Sequence, residues 1–187
     1  MEITQTLHVT DPKEWRAWLE KHYQTENEIW LVYYKKHTGK PRIEYNDAVE
    51  QALCFGWIDS TAKKLDEDRT AQRFSPRKPK SGYSQANIER LRYLVARGQV
   101  IEEVRESLGD ILEREFVFPA DILEAIQADG QAWSNYQNFS EPYKRIRVAF
   151  IEGARKRPEE FQKRLNYFIK MSRENKIFGF GGIEKHF

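Results

Sequence analysis

Three arginines stand at spacing four in the stretch from Cys54 to Asn87: Arg69, Arg73 and Arg77. On a strand that spacing is two periods of two, so Arg69 and Arg73 project from one face. Pro76 ends the strand just before Arg77. Guanidinium forks grip phosphate or carboxylate through paired hydrogen bonds. Behind them come Lys78, Lys80, Ser81 and Tyr83, then a helix start at Ser84 to Asn87 whose first backbone amides lack intrahelical partners. Together these residues form a candidate cradle for an anion, with Ser81, Tyr83 and Asn87 closing it. The same arginines equally suit a ladder paired with Asp66, Asp68 or the acidic segment downstream.

Asp59, beside Ser60, can orient an arginine or act as a general base, and the register of its hairpin decides which way it faces. Cys54 lies on an apolar helix with no histidine nearby, the setting of a buried small hydrophobe rather than a nucleophile. His8, His22, His37 and His186 are scattered without metal-ligand spacing, so no metal and no cofactor is expected. Trp57 and Phe74 suit core packing, and Tyr83, in a proline-flanked loop, suits ligand contact. Gly179, Gly181 and Gly182 lack the strand and helix of a nucleotide fingerprint.

The elements that must position these residues follow from periodicity and punctuation. Asp11-Pro12-Lys13-Glu14 starts a helix burying Trp15, Trp18 and Leu19. Glu28 to Lys36 reads as an interior strand and Arg42 to Tyr45 as a short one. A helix capped at Asn46 or Asp47 runs to about Phe55, and Gly56 stops it. Trp57–Lys64 and Arg69–Ser75 form a hairpin around Asp66-Glu67-Asp68. Ser84 caps a helix from Gln85 to Arg97. Beyond it the chain reads as helices over Val100–Glu115, Pro119–Ala128, a short piece with Trp133 and Tyr136, and two more split at Arg157-Pro158. On the first of that pair Ile146, Ala149, Phe150 and Gly153 share a face, and the pair forms an antiparallel hairpin. The expected class is α+β: a small antiparallel sheet with helices over 1–98, then a mainly helical part over 99–187 with an apolar tail from Phe178.

The chain has 187 residues, 40% hydrophobic, 13% aromatic and 32% charged, which suits a soluble globular protein. One cysteine excludes an internal disulfide and fits a reducing compartment. With no secretory signal or apolar span in the sequence, the cytoplasm is the expected location. Net charge is only +2, yet Thr61–Arg97 holds ten Lys/Arg against four Asp/Glu, Ile101–Asp129 two against nine, and Pro142–Lys176 eleven against four. The basic blocks can pair with the acidic one or face an anionic partner.

Cys54-Phe55-Gly56-Trp57-Ile58-Asp59-Ser60, Arg73-Phe74-Ser75-Pro76-Arg77 and Ser81-Gly82-Tyr83-Ser84-Gln85-Ala86-Asn87, in this order, resemble the bacteriocin-protection family, also labelled YdeI or OmpD-associated. That resemblance implies a role in resisting bacteriocins or envelope stress, and it brings no agreed catalytic residue or cofactor. The family often has Trp where this chain has Tyr83. The expectation is a non-enzymatic module that binds an anionic ligand or acidic partner through Arg69, Arg73, Arg77, Lys78 and Lys80. The alternatives are an enzyme on a small anionic substrate with Asp59 as base, and a nucleic-acid binder using the two basic blocks.

Overall fold

The aromatic run Ile29–Tyr34 forms β2, whose residues are buried up to Tyr33. In this computed structural model, which describes residues 2–78 and 81–179, β2 lies inside a four-stranded sheet. The other strands are β1 (Thr6–Leu7), β3 (Trp57–Lys64) and β4 (Arg69–Pro76), in the order β1-β2-β4-β3. β1 pairs parallel to β2, while β4 is antiparallel to both β2 and β3, so the sheet is mixed by one short edge strand. Eight helices occur among the described residues, and the class is α+β with a helical C-terminal part.

Two units divide the chain: Met1–Gly82 with Leu91–Gly109, and Tyr83–Arg90 with Asp110–Phe187. In the first, α1 (Pro12–His22) is capped by Asp11, whose carboxylate accepts from the Lys13 amide at 2.6 Å. Glu14 reaches back to the Thr10 amide at 2.8 Å. Trp15 and Leu19 are fully buried: the Trp15 indole donates to the Ala48 carbonyl of α2 (Tyr45–Cys54) at 3.0 Å and meets Phe74 edge-on. α2 starts at Tyr45, so the strand expected at Arg42–Tyr45 does not form. Pro41 supplies no donor there, and the Ile43 amide bonds singly to Val9. Gly56, at φ +71°, turns α2 into β3, a left-handed conformation that a side chain disfavours.

α3 (Gln85–Ala96) contributes residues to both units. The helix expected over Val100–Glu115 is confined to α4 (Glu102–Leu108), because Gly109 takes a positive φ and ends it. The second unit gathers α5 (Ala120–Gln127), α6 (Gly130–Asn138), α7 (Glu141–Glu152) and α8 (Pro158–Arg173). Asp129 caps α6 and Ser140 caps α7, each accepting from an amide three residues on. Pro142 and Pro158 occupy the first turns of α7 and α8, where no donor is needed. Ile122, Ile126, Tyr136, Val148, Ile151 and Phe168 meet in the core. None of the described helices is long and apolar enough to cross a membrane.

Candidate anion-binding site

The register settles the hairpin. Arg73 stands opposite Trp30 and Arg69 opposite Tyr34, so both arginines share one face of the sheet. Asp59 stands opposite Phe74 on the other face, before a bulge that follows it. Its carboxylate accepts from the Tyr45 hydroxyl at 2.6 Å and the Gln72 amide at 3.3 Å. The sheet therefore separates the candidate base from Arg69 and Arg73.

Both of those arginines already meet carboxylates. Arg73 donates through Nε to Glu28 at 2.6 Å and through Nη1 to the Ser60 and Ser75 hydroxyls, each at 3.3 Å. The Thr4 hydroxyl at 2.5 Å and then Arg73 hold the Glu28 carboxyl below its ordinary range. Arg69 pairs with Asp66 through Nε at 2.7 Å, and Asp66 also accepts from the Asp68 and Arg69 amides, which lowers its pKa and closes the turn. Asp68 instead faces His37 at 2.9 Å. Arg77 donates to the Ser81 carbonyl and hydroxyl and to the Gly82 carbonyl, stapling its own loop. Lys78 is exposed, and its carbonyl accepts from Ser81. Lys80 lies outside the described residues, as do His186 and the tail from 180 onward.

Cys54, Trp57 and Phe74 are buried in the first unit, and burial pushes the Cys54 thiol up to about 11. Tyr83 and Asn87 belong to the second unit, each partly buried. There Ser84 caps α3 by accepting from the Asn87 amide at 3.3 Å, and the Asn87 side chain accepts from Arg90 at 2.9 Å. One turn on, Glu89 is only 2% exposed and receives Arg145 of α7 in a fork at 2.7 and 2.9 Å. Glu89 raises the Arg145 pKa in return.

That fork holds the start of α3 beside a cleft of about 400 Å³, lined by Ser84, Gln85, Ala86, Arg147, Phe150 and Arg164 among others. Ile146, Ala149 and Gly153, read from the sequence as sharing a face with Phe150, complete this wall, while Val148 and Ile151 of α7 enter the core. A second cleft of about 140 Å³ shares Arg147, Phe150 and Arg164 and adds Tyr167, Phe168 and Phe178. Arg147 is 5% exposed, with its guanidinium carbon 5.5 Å from the Phe150 ring centre and 5.2 Å from that of Phe178. Backbone at Gly179 closes against it: a Cβ there would lie 2.8 Å from Nη1. Arg164 stacks 3.8 Å from the centre of Phe150, donating through Nε to Glu160 at 2.8 Å and through Nη1 to the Phe150 carbonyl at 2.7 Å. Two cations thus share a wall with the first turn of a helix, an arrangement suited to an anion. Sequence reasoning located the helix start but missed Arg147 and Arg164, which lie some sixty and eighty residues downstream with no local signal linking them to it.

Residues 7–107 match the family described as Domain of unknown function (DUF8412). The chain belongs to the DUF8412 family. Residues 115–175, which carry α5 to α8, match the family described as Bacteriocin-protection, YdeI or OmpD-Associated, and this bears out the resemblance. The three motifs that carried the resemblance fall inside the DUF8412 match, whereas the bacteriocin-protection match falls on the helices that supply Arg147 and Arg164. No curated protein and no solved structure matches this DUF8412 chain.

Proposed function

We propose that this chain is a non-enzymatic binding protein of bacteriocin-protection or stress-resistance type, working in the cytoplasm, that holds an anionic ligand on Arg147 and Arg164. One observation carries the reading: Arg147 and Arg164 line a single cleft with Ser84, Gln85 and Ala86 at the start of α3. The first amides of a helix and its positive dipole end favour negative charge at that place. The absence of chemistry is supported by Asp59, which is held by Tyr45 and Gln72, and by the buried thiol of Cys54. The single cysteine supports a reducing compartment.

Calorimetric titration of inorganic phosphate into the wild-type chain and into Arg164→Gln tests the reading. A charge-assisted hydrogen bond contributes about 1.5–3 kcal/mol, so Arg164→Gln should weaken binding at least tenfold, and Arg164→Lys should weaken it less. Equal affinity in Arg164→Gln, or no binding to the wild type, overturns it.

A second reading keeps the hairpin as the contact for an acidic partner, through Arg69, Arg73, Arg77, Lys78 and Lys80 with Ser81, Tyr83 and Asn87. It is favoured by the cradle of Arg73, Ser60 and Ser75, where Glu28 shows how an incoming carboxylate would be held. Such a partner has to displace Glu28.

A further inference from the structure

The smaller cleft of the second unit carries an apolar surface that a bound anion does not use. Phe150, Tyr167, Phe168 and Phe178 line it. Tyr167 and Phe150 remain 49% and 39% exposed, among the few large hydrophobic side chains left open among the described residues. Tyr167 meets Phe178 edge to face with centres 4.8 Å apart, and Phe168 lies 6.2 Å from the same ring. Open rings gathered around a hollow cost free energy in water until something apolar covers them.

Size and shape narrow the occupant. An apolar cavity of about 150 Å³ accepts benzene, and this cleft has about 140 Å³. That suits the ring of one phenylalanine, packed offset or edge to face against the walls. A hollow takes an inserted side chain, whereas a lipid surface is met by side chains that protrude into it.

The charges beside the cleft say what flanks that ring. Lys163 lines the cleft four residues before Tyr167, and Lys170 follows Tyr167 by three, so the two lysines flank the exposed ring on one face of α8. Both are exposed, and neither makes a hydrogen bond or an ion pair among the described residues. The carboxylates that feel them, Glu160 and Glu174, are themselves bonded to Arg164 and Lys176. Lys163 and Lys170 stand about 10 Å apart along the helix axis. One small ring cannot serve both, but about three residues of extended chain span that distance. Arg147 and Arg164 enter only as walls stacked on Phe150.

We propose that the cleft docks an acidic segment of a partner protein, which inserts one phenylalanine among Phe150, Tyr167 and Phe178 and lays carboxylates on Lys163 and Lys170. The ring is the anchor, and the flanking acids set its register along α8. The docking surface goes beyond the anion reading, since it calls on neither Arg147 nor Arg164 for a hydrogen bond.

Fluorescence anisotropy of a labelled, blocked peptide Asp-Glu-Phe-Glu-Asp, titrated with the full chain, tests it beside the same peptide with Ala in place of Phe. The Ala peptide should bind at least about tenfold more weakly. Affinity for the Phe peptide should fall as salt is raised. Tyr167→Ala, a change at a half-exposed side chain, should erase the difference between the two peptides, and Lys163→Gln combined with Lys170→Gln should flatten the salt dependence. Tyr167→Ala should also leave inorganic phosphate binding as in the wild type, so that loss of the docking surface and loss of the anion site are read separately. Failure of the Phe peptide to bind, equal binding of the two peptides, or a preference that survives in Tyr167→Ala overturns the proposal. So does tighter peptide binding by a chain ending at Gly179, which gives the cleft to the chain's own last residues. A dimer that Tyr167→Ala dissolves gives it to a second copy and overturns the proposal as well. Binding to phosphatidylglycerol vesicles in place of the peptide, abolished by Tyr167→Ala, overturns it in favour of a lipid surface.

Discussion

Glu89 joins the motif at the start of α3 to the basic helix α7. Its carboxylate is almost entirely buried, and it is matched by the Arg145 fork, which is still 20% exposed. Removing one partner of a buried pair costs more than the pair contributes, because the other charge is left without compensation. Glu89→Gln should therefore lower stability by about 3 kcal/mol, read from the urea midpoint. A change below about 0.5 kcal/mol would show that Arg145 is solvated well enough to do without it. The candidate site was half legible in the sequence at this scale. Ser84 announced a capped helix start because capping is local chemistry, decided within four residues. Arg147 and Arg164 gave no such signal, since on their own helices they read as ordinary charged positions. The arginines that did stand out, Arg69 and Arg73, drew attention through strand spacing, yet Asp66 and Glu28 meet them, and Glu28 lies more than forty residues upstream of Arg73.

Elements were the most legible scale. The hairpin β3–β4 lies within a residue of its expected bounds because alternation, the Asp66 turn and Pro76 all act locally and agree. The starts of α7 and α8 are as expected, since caps and prolines mark them, but α7 ends at Glu152 rather than at Arg157-Pro158. The misses have one cause, which is tertiary context outweighing local preference. β1 is two residues long and exists only through its pairing with β2. The segment before Tyr45 has strand-like residues but no partner strand. The stripe Ile146, Ala149, Phe150 and Gly153 is no miss: it shares one face as expected, and that face walls a cleft. Gly56 shows an element boundary enforced by backbone and packing together. Its φ is +71°, and a Cβ there would lie 3.2 Å from Cγ2 of Val104. Gly56→Ala should cost about 1–2 kcal/mol, seen as a lower melting midpoint of the purified chain. An unchanged or higher midpoint would mean that the α2–β3 turn relaxes to a negative φ.

For the molecule as a whole, the uneven charge of the sequence is partly accounted for within the second unit. Arg155 meets Asp121 at 2.6 Å and Arg173 meets Asp129, so the basic block from Pro142 to Lys176 neutralises part of the acidic stretch before it. Each arginine holds its partner carboxyl below the ordinary range. Arg147 and Arg164 stand apart from these surface pairs by lining a cleft, which is why they and not the net charge carry the functional reading. The family matches divide in a parallel way, one over 7–107 and one over 115–175. The most direct test of the central claim is a titration of inorganic phosphate followed by amide chemical shifts across the assigned backbone. The account predicts saturable shifts concentrated at Ser84–Ala86, at Arg147–Gly153 and around Arg164. Shifts confined to Arg69–Gly82, or no saturable shifts at all, would contradict it.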